Sequence, residues 1–427
     1  MREDDRFGLV GNTSILPGVT EMVSISKASV ADVQMQLSWH SGDVRHREIF
    51  MARGFNLWRD LLPDSVRSAL EGAAAGEKLH FEASPGRILP DLDDRQRFTV
   101  ARSRFDHRRP GRQVEPRQGR FYPKGLLSGI SQVFPQNVEP FRCIGVKNGD
   151  LRVDLNHPLA GQEADLDLAV ESVRQKSDER GGTCRAWVEE LTAGPGMQAR
   201  FDGRPTDFFS DDPFGREDEG DDAGFYRRPR LVQHIDDAAS EVVRQLYAKR
   251  LTPGMRVLDL MSSWQSHVPE GAGLSSMTGL GMNESELAAN PQLTDWVVHD
   301  LNMDPSLPFA ADRFDAALCT VSVEYLLRPA DVFAELARVL RPGAPLMVTF
   351  SDRWFAPKAI RIWSQLHEFE RMGLVTEYFR SSGGFTELET ISVRGLPRPV
   401  NDKYFPQRIT ADPVFAVMGT NDGSSWS

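Results

Sequence analysis

The chain of 427 residues has few cysteines, no long apolar run and no surplus of positive charge. Cys143, Cys184 and Cys319 stand far apart and show no CxxC or other ligand spacing, so the sequence predicts neither a disulfide framework nor a metal site. The formal net charge is -11 and the sequence pI is near 5.4. This balance argues against general nucleic-acid binding or attraction to an anionic membrane, although local basic patches remain possible.

No stretch reaches the 18 apolar residues that a membrane-spanning helix requires. The first residues, MREDDRFGLVGNTS, lack the basic and apolar segments of a signal peptide. Few cysteines also suit a reducing compartment. We therefore expect a soluble, cytoplasmic protein without a membrane partner.

The length favours two or three domains, and 40% hydrophobic with 26% charged residues is a globular balance. Between residues 176 and 224 the chain becomes acidic and rich in glycine and proline, which predicts an exposed linker. The predicted division is a flexible N-terminal tail at 1–28, a first domain at 29–175, the linker at 176–224 and a second domain at 225–420.

The first domain shows alternating apolar and polar residues, which indicate strands at 30–39, 78–83 and 164–173. A helix signal covers 62–71, and Asn148-Gly149 lies between two strand-like runs as in a hairpin. These signals predict an α+β domain with a mostly antiparallel sheet and a short helix.

The second domain alternates helix and strand signals, which predicts an α/β fold with a parallel, Rossmann-like sheet. Such sheets bind ligands at the carboxyl ends of their strands, where this sequence places polar residues. The expected helices are 231–250, 284–289, 329–339 and 355–371, and the expected strands are 256–260, 277–280, 295–299, 314–321, 345–350 and 413–418.

Three motifs in the second domain, VLDL at 257–260, DLNMDPSLPFAADRFD at 300–315 and ELARVLRPGAPLMV at 335–348, resemble class I S-adenosylmethionine-dependent methyltransferases of the type 11 kind. The resemblance implies S-adenosyl-L-methionine as cofactor. The segment FYRRPRLVQHID at 225–236 belongs to the same resemblance and is expected to lie over the cofactor. The residues that the resemblance assigns to cofactor binding are Asp259, Ser262, Ser263, Asn283, Asp300 and Leu301.

The sequence departs from this family at two places. The glycine-rich loop after the first strand is replaced by MSSWQSH at 261–267, and Gly281 stands where an acid usually ends the second strand. The sequence also lacks GxGxxG, which disfavours an NAD-dependent enzyme. It lacks an Asn/Asp-Pro-Pro-Tyr motif as well, so the methyl acceptor is not identified.

Several of these residues have alternative interpretations. Asp259 either contacts the cofactor or accepts hydrogen bonds that hold the loop. His267 and Tyr325 are candidates for a catalytic role, but His267 could equally be a packed residue that closes the loop. Methyl transfer depends mainly on alignment and a dry pocket, so a catalytic base is not required.

The first domain, through LPDSVRSALEGAAAGEKLHFEASPG at 62–86, GRFYPKGLL at 119–127 and DLNHPLAG at 154–161, resembles FKBP-type peptidyl-prolyl isomerases with a chaperone insert in the flap. It departs from them because Leu166 stands where an aromatic residue would help form the pocket floor. The resemblance implies binding of proline-containing peptides or unfolded protein, with slow isomerisation at best. The candidate pocket residues are Leu62, Val66, Phe121, Tyr122 and Leu168, each of which could instead be an ordinary core residue.

Two functional hypotheses follow. In the first, the protein is a methyltransferase of unknown acceptor fused to a peptide-binding, isomerase-like domain. In the second, a degenerate methyltransferase-like domain and the first domain serve only binding or chaperoning. The altered loop favours the second hypothesis, whereas the region around Asp300 favours the first.

Overall fold

A computed structural model describes residues 23–109, 112–176 and 182–424 of the chain. Residues 1–22 of the expected flexible tail lie outside the described residues. Helices α1 (Asp64–Leu70) and α2 (Trp187–Thr192) belong to the N-terminal half. Its strands are β1 (Ser29–Ser41), β2 (Val44–Phe55), β3 (Lys78–Glu82), β4 (Arg97–Ala101), β5 (Arg108–Arg109), β6 (Arg112–Gln113), β7 (Phe121–Pro123), β8 (Pro140–Lys147), β9 (Asp150–Asp154) and β10 (Ala164–Gln175).

The C-terminal half alternates helices and strands as predicted. Its helices are α3 (Asp222–Tyr226), α4 (Asp237–Ala248), α5 (Glu284–Ala289), α6 (Pro329–Val339) and α7 (Glu368–Ser382). Its strands are β11 (Arg256–Leu260), β12 (Ser276–Gly281), β13 (Asp295–Val298), β14 (Ala316–Thr320), β15 (Pro345–Phe350), β16 (Phe385–Arg394) and β17 (Val414–Asn421).

The C-terminal strands lie in the order β13-β12-β11-β14-β15-β17-β16. The first five are parallel, and β17 runs antiparallel between β15 and β16. From the central strand β11 the chain goes first to β12 on one side and later to β14 on the other. Open α/β sheets bind ligands at this kind of switch point, beyond the carboxyl ends of the strands.

The same sheet continues into the N-terminal half, because β16 pairs in parallel with β2 from Glu389 opposite Arg45 to Arg394 opposite Phe50. Beyond β2 follow β1, β10 and β3, all antiparallel, which completes one sheet of eleven strands. Antiparallel strands and the short helix α1 were predicted, but a sheet shared by both halves was not. The boundaries at residues 175 and 225 stay a prediction.

Buried polar contacts cross the β16–β2 pairing. Glu389 accepts from Arg47 at 2.5 Å and from Arg250 at 2.6 Å. Glu48 accepts from Ser392 and Gln198, and burial raises the pKa of its carboxyl. Because buried ionic groups need their partners, the bonds from Arg47 to Glu389 and from Ser392 to Glu48 tie the two halves together.

The predicted linker is only partly exposed where it is described. Trp187 and Leu191 of α2, and Phe208, are all at most 2% exposed. Near its end, Asp222 pairs with Arg216 at 2.8 Å and with the fully buried Lys358 at 3.1 Å. Acidic, glycine-rich composition suggested solvation, but the apolar residues between the acids pack into the core and some acids bind buried cations.

Two helix predictions for the second domain also need correction. Residues 231–236 precede α4 and are not helical, so the helix starts at Asp237, where Asp236 caps it. The predicted helix 355–371 is wrong: a capping box of His367 and Glu370 starts α7 at Glu368 instead. Residues 353–355, in the segment before α7, lie over the carboxyl ends of the strands. The prediction of helix 329–339 is confirmed by α6, whose Val332, Phe333, Leu336 and Val339 are buried.

In the first domain, the hairpin at Asn148-Gly149 is confirmed, since both residues adopt positive φ, 51° and 83°, between β8 and β9. These strands belong to a separate four-stranded sheet, β4-β9-β8-β7, with its own apolar core. No helix in the described ranges has the length and apolar character that crossing a membrane requires.

Candidate functional site

A cavity of about 390 Å³ lies at the carboxyl ends of β11, β12, β13 and β14. The loop after β11 and the start of α5 form one side, and the turn at 299–302 forms the floor. Segments 226–234, 353–355 and 403–404 complete the wall. All six predicted cofactor residues, and both catalytic candidates, line this one cavity: Asp259, Ser262, Ser263, Asn283, Asp300, Leu301, His267 and Tyr325.

Asp259 ends β11 next to the cavity and is only 2% exposed. It accepts hydrogen bonds from the hydroxyls of Ser262 at 2.5 Å and Ser266 at 2.7 Å. Burial raises the pKa of this carboxyl to about 6. Its observed contacts are therefore those of a group that holds the loop, and a direct contact with a ligand stays a prediction.

The loop after β11 lies directly against β12. The Ser262 amide donates to the carbonyl of Leu280 at 2.8 Å, and a Cβ atom on Gly281 would come within 2.2 Å of the Ser262 carbonyl oxygen. No side chain fits at position 281 unless the loop moves. The glycine that replaces the usual acid is thus a packing requirement of this particular loop.

Two polar residues of α5 organise the end of β12. Asn283 caps the helix by accepting from the Glu286 amide at 3.1 Å, and its own amide group donates to the carbonyl of Tyr226 at 2.8 Å. Glu286 accepts from the Ser263 hydroxyl at 2.7 Å and from the Arg230 amide at 2.6 Å. The sequence interpretation missed Glu286, although its spacing from Asn283 resembles a capping box and places it in the first helical turn.

The turn after β13 is shaped by Asp300 and Asn302. Asp300 accepts through Oδ1 from the amides of Asn302 at 2.9 Å and Met303 at 3.3 Å. Leu301 is buried, while the Asn302 side chain donates to Asp222 at 2.9 Å and to the Tyr325 carbonyl at 3.0 Å. These bonds fix the floor of the cavity and connect it to β14.

The two catalytic candidates are both uncharged near neutral pH. Burial lowers the pKa of His267 to about 4, and its Nδ1 has no hydrogen-bond partner among the described residues. Burial raises the pKa of Tyr325 well above its usual value, and its hydroxyl accepts from the Phe355 amide at 2.8 Å. His267 can therefore accept a proton or hydrogen bond, and Tyr325 keeps a proton to donate.

Three residues at the cavity have a positive φ. Met261 and His267 adopt φ of 54° and 56°, and Val321, directly after β14, adopts a φ of 45°. Positive φ is unfavourable for a β-branched residue and is found mostly where a site requires it. All three residues line the cavity.

Segment 225–236 covers the cavity as expected. The Trp264 indole donates to the Val232 carbonyl at 3.1 Å, and the Arg230 guanidinium lies 4.4 Å from the Phe225 ring centre. A second covering segment, around Lys403 and Tyr404, was not predicted, since nothing in its sequence indicates a site.

Unlike the predicted cofactor residues, the predicted peptide-pocket residues do not lie together at one site. Val66, Leu168 and the half-buried Leu62 pack in the core around β1 and β10. Phe121 belongs to the core of the C-terminal half, and Tyr122 to the core of the four-stranded sheet. The structure thus divides these five residues among three cores.

Residues 271–348 match the family model of a methyltransferase domain. A curated relative, the ubiquinone/menaquinone biosynthesis C-methyltransferase of Roseobacter denitrificans, is 38% identical over 73 residues, which are 17% of this chain and 28% of the relative. This chain therefore matches only about a quarter of that relative's length. The family match begins after the altered loop at 261–267 and lies outside residues 29–175.

Solved structures also match at low identity. An S-adenosylmethionine-dependent methyltransferase from Mesorhizobium loti shares 15% identity and a TM-score of 0.28, covering 43% of this chain and 99% of that one. The YcgJ protein from Bacillus subtilis shares 12% identity and a TM-score of 0.30, covering 42% and 98%.

Proposed function

We propose that the class I methyltransferase domain of this chain, whose family uses S-adenosyl-L-methionine as cofactor, binds it in the cavity described above and transfers its methyl group to a separate acceptor. One observation carries the proposal. Three carboxylates, Asp259, Glu286 and Asp300, line one cavity at the ends of three adjacent parallel strands.

The chemistry of these residues suits that cofactor, which carries a positive sulfonium and ammonium, a carboxylate, ribose hydroxyls and an adenine amine. Glu286 and Asp300 provide acceptors for hydroxyl or amine groups and a negative field for the cations. The unpaired Nδ1 of His267 is a further polar atom at the cavity. Buried polar atoms rarely lack a partner, so a ligand group that satisfies it would be stabilised.

A bound cofactor would supply an activated methyl group: transfer would break its carbon–sulfur bond, form a bond to the acceptor's nucleophilic atom, leave a thioether and release a proton from the acceptor. The chain contributes alignment and exclusion of water. Segment 225–236 and the rings of Tyr325 and Phe355, with centroids 6.2 Å apart, shield the cavity. Neutral His267 is the candidate that would receive the proton, and Tyr325 the candidate that would orient the acceptor.

Binding of S-adenosylhomocysteine tests this proposal without knowledge of the acceptor. We expect calorimetry to show binding and a Glu286→Gln variant to weaken it by about 1.5–3 kcal/mol, the range for a hydrogen bond to a charged group. Asp300→Asn should weaken S-adenosylhomocysteine binding by a similar amount, while the hydrogen bonds that Oδ1 accepts within the turn should persist.

Glu284→Gln is the matched control, because Glu284 is exposed on the same helix and does not line the cavity. The affinity of this variant for S-adenosylhomocysteine should equal that of the unmodified protein. Absence of binding at millimolar S-adenosylhomocysteine and S-adenosylmethionine would refute the proposal and favour the second hypothesis, a binding protein with a degenerate methyltransferase-like domain.

Peptide binding and slow isomerisation by residues 29–175 stay predictions from the FKBP resemblance. The family match lies elsewhere in the chain, and the five candidate pocket residues belong to separate cores. No observation raises this activity to a second proposed function. The cytoplasmic location and the absence of a nucleic-acid or membrane partner likewise stay predictions.

A further inference from the structure

The charged residues around the cavity are separated by sign. The carboxylates Asp259, Glu286 and Asp300 belong to the side formed by β11, β12 and β13. The cations Arg230, Arg353 and Lys403 come from the covering segments. The positive groups of the cofactor suit the carboxylates, and its single carboxylate does not use all three cations, which leaves a cation for the acceptor.

Only one of these three cations is unengaged. The Arg353 guanidinium pairs with Asp412 at 2.9 Å, and Arg230 donates to the Phe225 carbonyl at 3.1 Å. Lys403 has no carboxylate within 4 Å in the part of the chain that the structure describes, and its Nζ lies 5.0 Å from the centre of the Tyr404 ring. Lys403 is therefore available to an anionic group of a ligand.

Exposed apolar side chains lie on the two covering segments, at or next to residues that line the cavity. Val232 lines the cavity and is 55% exposed, and its chain neighbour Leu231 is 54% exposed. Phe405, which follows the cavity residue Tyr404, is 37% exposed, and these three side chains are called the apolar rim below. Exposed apolar residues that occur as a group commonly mark a binding surface.

The two covering segments are held together at their bases. Arg398, 3% exposed, pairs with Asp412 at 2.5 Å and with Asp236 at 3.2 Å. The Asp236 amide also donates to the Asp412 carboxylate at 3.0 Å, and the Asp412 amide donates to the Asp236 carboxylate at 2.7 Å. The apolar rim and Lys403 thus keep a defined position relative to the cavity.

The size of the cavity limits what it can hold. At about 390 Å³ it lies near the lower end of the range of roughly 300–1,000 Å³ for ligand cavities. With the cofactor bound, a large acceptor would have to leave much of its body outside, against the rim.

We propose that the methyl acceptor is an amphipathic organic anion, whose apolar body lies on the rim formed by Leu231, Val232 and Phe405 and whose acidic group binds Lys403. This inference rests on the proposed function, because it concerns the acceptor of the same site. The acceptor's nucleophilic atom reaches the cavity beside Tyr325, while the apolar body remains partly in contact with solvent.

The test uses three compounds of equal chain length, decanoate, decanol and decylammonium, titrated into the full chain saturated with S-adenosylhomocysteine. Calorimetry should give the highest affinity for decanoate and the lowest for decylammonium. Lys403→Gln should weaken decanoate binding about tenfold, as expected for loss of a charged hydrogen-bond partner, and leave decanol unchanged. Val232→Ser should weaken decanoate and decanol by a similar factor.

Lys147→Gln is the control, since Lys147 is an exposed lysine at the far end of β8. It should change none of the affinities. Failure of S-adenosylhomocysteine to bind would overturn the proposed function itself. If S-adenosylhomocysteine binds but decylammonium binds as well as decanoate, or Lys403→Gln has no effect, only the inference about the acceptor is overturned.

Discussion

At the scale of single residues, Asp259 shows how one side chain can organise a site without the motif usual at that position. Its carboxylate accepts from two serine hydroxyls of the loop and is almost fully buried. In place of glycines that allow close approach, this loop uses hydroxyl groups that bond to the strand-end acid. Ser262 and Ser266 of MSSWQSH are thus structural partners of Asp259.

The Asp259 carboxyl should contribute measurably to the pH dependence of the free energy of unfolding. Its pKa in the folded protein is about 6, against an ordinary value of about 3.9, so the folded state binds the proton more tightly than the unfolded state. Between about pH 4 and pH 6 this group therefore makes the folded state less stable as pH rises.

Asp259→Asn cannot titrate, so the stability of the variant relative to the unmodified protein should rise by about 2 kcal/mol from pH 4 to pH 7. Urea unfolding of both proteins at several pH values measures this difference, in which the titration of all other groups largely cancels. Parallel stability profiles would show that the Asp259 carboxyl is not perturbed in this way.

At the scale of elements, the contact of the loop 261–267 with β12 sets the shape of the site. Gly281→Ala should destabilise the protein by about 1–3 kcal/mol, the usual cost of overpacking, because its Cβ atom would meet the Ser262 carbonyl oxygen at 2.2 Å. Displacement of Ser262 and Ser263 should also weaken S-adenosylhomocysteine binding.

Gly145→Ala is a suitable comparison in the same experiments. A Cβ atom there would have an ordinary contact of 3.7 Å with Arg152, and Gly145 is also a strand residue without positive φ. Equal stability and equal binding for the two alanine variants would show that the loop can move away from β12 without cost.

At the scale of the whole molecule, the sheet of eleven strands joins the two halves of the chain. Separation at β16–β2 would expose the backbone edges of both strands, separate Arg47 from Glu389 and remove the Ser392 hydroxyl from Glu48. Unpaired strand edges promote aggregation, and unpaired buried charges are strongly destabilising.

We therefore expect fragments 1–205 and 206–427 to be insoluble or to unfold without cooperativity when each is expressed alone. Expressed together, they should associate and be purified as a complex. Circular dichroism and urea unfolding of each soluble product provide the measurement. Two independently stable fragments would instead support the separable domains that the sequence suggested.

Much of the local structure could be read from the sequence, because it depends on short-range patterns. The spacing of apolar residues predicted α6, the Asn-Gly pair predicted the hairpin after β8, and the strand ends identified Asp259, Asn283 and Asp300 as neighbours of one cavity. Periodicity and turn chemistry act over a few residues and are visible without the fold.

Other features were decided only by tertiary structure, since they depend on residues far apart in the chain. Position 281 must be glycine because a Cβ atom there would collide with the carbonyl oxygen of Ser262. Lys403 lines the cavity on a segment that is held in place by the ion pair between Arg398 and Asp236. The pairing of β2 with β16 joins residues more than 300 positions apart. The sequence determined the local elements and the chemistry at the strand ends, whereas long-range packing decided which elements share a sheet and which side chains complete the site.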